Sequence, residues 1–66
     1  MAVPIPPLVL ERHVRDGIPL VTAWLQELGL PVDRHSGEAA LLEELAAALA
    51  IPVSELVRTI DAANQR

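Results

Sequence analysis

The sequence predicts an all-α fold: a small bundle of three to four short helices behind an extended, proline-rich N-terminal arm. Three observations predict it. Apolar residues recur at helical spacing in separate segments, with Leu41, Leu42, Leu45 and Leu49 the clearest stripe. Prolines and isolated glycines punctuate the chain between those segments. Pro4, Pro6 and Pro7 exclude a helix interior at the N-terminus, because each lacks a backbone donor and has a fixed φ. We read residues 1–66 as a single helical domain, with 1–7 as the arm and 8–66 as the helical core.

The arm is extended because residues that precede proline are pushed away from helical geometry. Val3 and Ile5 need cover, either from their own domain or from a sister subunit. The PxxP spacing of Pro4 and Pro7 is too permissive a pattern to carry a recognition function.

A first helix is expected over residues 8–16. Pro7 suits its first position, where no donor is needed. Leu10 and Val14 lie one turn apart on one face, and Glu11 can pair with Arg15 at i, i+4. Gly17 is a ready C-terminal stop. A strand over residues 8–10 is the alternative, since short apolar runs are not settled by period alone.

Residues 19–28 make a better helix, with Val21, Trp24, Leu25 and Leu28 at i, i+3, i+4, i+7. Gly29 supplies the left-handed closing residue, Leu30 can fold back on the last turn, and Pro31 blocks continuation. Trp24 is the only aromatic side chain. It suits the core, or an interface anchor. Residues 30–35 are a linker whose polar half is Asp33, Arg34 and His35.

Residues 36–64 read as two amphipathic helices joined by a tight turn at Ala50, Ile51 and Pro52. Ser36 is the expected N-cap, and Glu38 stands in the first turn, where the helix dipole favours negative charge. Ala46 and Ala48 flank the leucine stripe, while Glu38, Glu43 and Glu44 face water. The last helix carries Val53, Leu56, Val57 and Ile60 on one side, and Glu55, Arg58 and Asp61 towards the other. The expected core is therefore Leu41, Leu42, Leu45, Leu49, Leu56 and Ile60.

Composition adds a reason for association. A chain of 66 residues buries only about 60% of the surface its unfolded form exposes. Yet 52% of its residues are hydrophobic, and the three glycines raise the figure to about 56%, against about 45–50% in ordinary domains. No cysteine is present to reinforce the fold. Self-association covers such an excess, so a homo-oligomer, most simply a dimer, is expected. The expected interface is the arm and the Trp24 face: Val3, Ile5, Leu8, Val9, Val21, Trp24, Leu25 and Leu28. A second protein is the other partner that fits.

Charge and length exclude several classes. The net charge is −4, with five arginines and no lysine, which disfavours nucleic acid and anionic membranes. No apolar run approaches the roughly 20 residues of a membrane span. No basic segment followed by a long apolar stretch marks secretion, so a soluble cytoplasmic protein is expected. Asp33, His35 and Ser36 supply the residue types of a hydrolase triad, but near-adjacent in the chain rather than converging from separated positions. His13 and His35 lack the spacings of a metal site, Glu43 and Glu44 form a solvated face, and no glycine-rich phosphate loop occurs. No catalytic, cofactor-binding or metal-ligating residue is expected, and an enzyme is not.

Residues 41–57, LLEELAAALAIPVSELV, resemble the last two helices of lambda-repressor-like helix-turn-helix domains. Gly17-Ile18 and Glu27-Leu28-Gly29 match the spacing of that family's turn glycine and of the Glu-x-Gly that ends its reader helix. The resemblance covers about half of the chain and rests mostly on core positions. It implies a helical scaffold and, were function to follow, a DNA-binding regulator with Arg12, Arg15, Arg34 and Arg58 as phosphate contacts. The departures are specific. The DNA-facing positions of a reader helix fall near Pro19, Leu20, Val21 and Leu25, all apolar, leaving Thr22 alone to bond a base edge. No arginine lies between Arg15 and Arg34. The loop after Gly29 is longer than in the family, and the family's first helix has no clear counterpart. The expected function is a small protein–protein interaction module: a regulatory or assembly factor, or an antitoxin-like partner, acting through a self-associating helical surface. A DNA-binding helix-turn-helix regulator is the alternative.

Overall fold

Four helices carry the chain in the computed structural model, which describes residues 3–33 and 35–65. They are α1 (Pro7–Asp16), α2 (Leu20–Glu27), α3 (Glu38–Leu49) and α4 (Val53–Asn64). The fold is all-α, with no strand among the described residues, so the strand alternative at residues 8–10 is set aside. Packing is sequential: α1 lies on α2, α2 on α3, and α3 on α4. The body measures 29 × 28 × 18 Å, about two helix layers thick.

The sequence starts these helices with backbone geometry rather than with side-chain caps. Pro6, Pro19 and Pro52 precede α1, α2 and α4, each with φ between −58° and −67° and extended ψ. Their carbonyls accept the first helical bonds, as from Val9 N–H to Pro6 at 3.0 Å. Gly37, not Ser36, is the N-cap of α3. The Ser36 hydroxyl is taken instead by Asp33, donating to its Oδ2 at 3.2 Å, while the His35 N–H donates to Asp33 Oδ1 at 2.9 Å. Such an Asx turn offers the hydroxyl a partner before the helix begins.

The first three helices are closed by left-handed residues. Gly17 ends α1 at φ 67°. His13 Nδ1–H donates to the Ile18 carbonyl, which ties the last turn of α1 to the connection that follows. After α2, Gly29 N–H donates to Gln26 and Leu30 N–H to Leu25, the paired bonds of a Schellman closure around a left-handed Gly29. The same pair closes α3, from Ala50 to Ala47 and from Ile51 to Ala46. Here, however, the left-handed residue is Ala50, at φ 57°. A Cβ in that region costs about 1–2 kcal/mol, and removing it loosens the unfolded chain by about 0.4–1 kcal/mol. Ala50→Gly is therefore expected to stabilise the fold by about 0.5–1 kcal/mol, raising Tm by several degrees. A calorimetric scan checks it; an unchanged or lowered Tm would show that the turn relaxes without strain.

Two helix faces differ from the periodicity reading. In α1 the inward residue is Val9, with no exposed surface, whereas Val14 is 78% exposed. Val9 and His13 lie one turn apart on the same edge, where His13 bonds the Ile18 carbonyl. Arg15 turns to Asp16, Nε donating to Oδ1 at 3.3 Å on the exposed surface, rather than serving Glu11. Exposed pairs of this kind contribute little. In α4 the buried residues are Leu56 and Thr59, with Ile60 and Ala63 packed beside them, while Val53 and Val57 are exposed. Of the expected stripe Val53, Leu56, Val57 and Ile60, Leu56 and Ile60 face inward; Thr59 joins them in place of the two valines, its hydroxyl bonded within the fold.

The core is Val9, Leu20, Val21, Ala23, Trp24, Leu25, Leu45, Ala46 and Leu56. Five of these lie on α2, which makes the shortest helix the pivot of the bundle.

Candidate functional site

The N-terminal arm runs back over its own chain to α4. Val3 N–H donates to Thr59 Oγ1 at 3.3 Å, across 56 residues of sequence. Thr59 in turn donates its hydroxyl proton to the Glu55 carbonyl at 3.0 Å. This double use explains a threonine that is 3% exposed, since a buried hydroxyl is costly only when unpaired. Val3 and Ile5 pack against the core cluster from this position.

Between the arm, α1 and the C-terminal half of α4 lies an open groove of about 380 Å³, lined by Val3, Pro4, Ile5, Leu10, Thr59, Ala62 and Ala63. Small side chains at Ala62 and Ala63 leave the space unfilled, and the prolines keep the arm from collapsing into it. The lining carries no ionisable side chain. Its one polar side chain, Thr59, is already engaged. Such a surface can hold apolar groups and offers no acid, base or nucleophile. Val14, one turn from Leu10 on α1, extends the apolar surface into solvent.

The residues expected at an interface divide in the fold. Val9, Val21, Trp24 and Leu25 fill this chain's own core rather than an outer face. The reason is the position of α2 between α1 and α3, which covers its apolar side from both directions. Val3 and Ile5 line the groove, while Leu8 and Leu28 are 62% and 44% exposed. Of the expected core, Leu45 and Leu56 are fully buried, and Leu41, Leu42, Leu49 and Ile60 pack around them half-buried. Reading by apolar type missed Thr59, Ala62 and Ala63 as lining residues. The available signal was the Leu56, Thr59, Ile60, Ala63 spacing, which is a helical face once threonine is admitted to it.

The remaining candidates are separate. Ser36 donates to Asp33, so no serine–imidazole pair forms there. The positions that would read DNA on α2 are the buried Leu20, Val21 and Leu25. Arg12 is half-buried, Arg15 faces Asp16, Arg58 is exposed, and Arg34 lies outside the described residues. No helix among the described residues is long and apolar enough to cross a membrane. No protein-family model matches the chain, and neither a curated protein nor a solved structure matches it.

Proposed function

We propose that this chain is a small protein-interaction module, a regulatory or assembly factor whose working form is a homodimer. The observation that carries the reading is the apolar groove of arm, α1 and α4, continued outward by Val14. A further argument comes from area. A compact monomer of this mass exposes about 4,100 Å², whereas the chain exposes 4577 Å². The surplus goes with a flat body and with apolar side chains left in water. Covering the groove face takes its apolar lining out of water without disturbing the core, which is the usual gain on association.

Light scattering on the intact chain at high micromolar concentration tests this. A dimer is expected. Val14→Glu should weaken it at least tenfold without lowering the helical content, because Val14 makes little contact within its own chain. A clean monomer for the intact chain would remove the homodimer and leave a different protein as the partner of this face.

The resemblance to helix-turn-helix domains suggests DNA as the competing ligand. The acidic balance and the burial of α2 weigh against it. Titration of a labelled random duplex is expected to show no binding tighter than about 10 μM at physiological salt. Sub-micromolar affinity with a steep salt slope would replace the interaction reading.

A further inference from the structure

We draw no further inference here: the strongest candidate, the apolar groove walled by the N-terminal arm, α1 and the C-terminal half of α4, belongs to the face already described, and nothing in the structure shows what occupies it.

Discussion

Leu45→Ala is expected to remove about 2–5 kcal/mol of stability, the range for truncating a buried leucine whose surroundings only partly relax. Leu45 has no exposed surface, and it sits on α3 between the neighbours that α2 and α4 provide. A domain of 66 residues holds about 3–10 kcal/mol in total at roughly 0.05–0.15 kcal/mol per residue. The variant should therefore be largely unfolded at modest urea concentration, and a denaturant titration followed by circular dichroism measures the loss. Glu44→Ala is the control, one residue away and exposed, with an expected cost below about 0.5 kcal/mol. Equal costs at the two positions would show that the α3 face is assigned wrongly.

Trp24→Ala is expected to cost about 3–5 kcal/mol. At 2% exposure Trp24 is the largest fully buried side chain, on the helix that contributes most of the core. The effect should be one of folding rather than association. Unfolding midpoints should be lowered by the same amount at dilute and at concentrated protein, since the side chain touches its own chain. A loss that disappears as concentration rises would return Trp24 to a subunit interface. The single tryptophan also reports on itself: its emission should lie at short wavelength in the folded chain and move to long wavelength with the same midpoint as the helical signal.

The punctuation of this fold is legible residue by residue. Pro7 opens α1, Gly17 and Gly29 close α1 and α2, and Pro52 separates α3 from α4. Each acts through its own φ or missing donor, which needs no distant partner. The same holds for the leucine face of α3, where Ala, Leu and Glu agree in propensity and pattern. The turn after α3 is legible at Ala50, Ile51 and Pro52, but its left-handed conformation is not, because alanine gives no sign that it will accept φ 57°.

The groove was half legible. Val3 and Ile5 stand out as apolar residues in an arm without internal cover, so a contact for them was expected. That the contact is made by α4 of the same chain was not readable, because Thr59 lies 56 residues away and carries a hydroxyl that counts as polar in any pattern. Only the fold shows that the hydroxyl is bonded on both sides and can be buried.

By itself the sequence determined the helices, most of their ends and the extended arm, all of which depend on residue type and short-range spacing. Tertiary structure alone decided which apolar stripe is inside. Val21, Trp24 and Leu25 form a face that would suit a subunit interface equally well, until α1 and α3 cover it from both sides. Hydrophobicity states that a surface must leave water and is silent on what will cover it. That choice belongs to the packing of the whole chain.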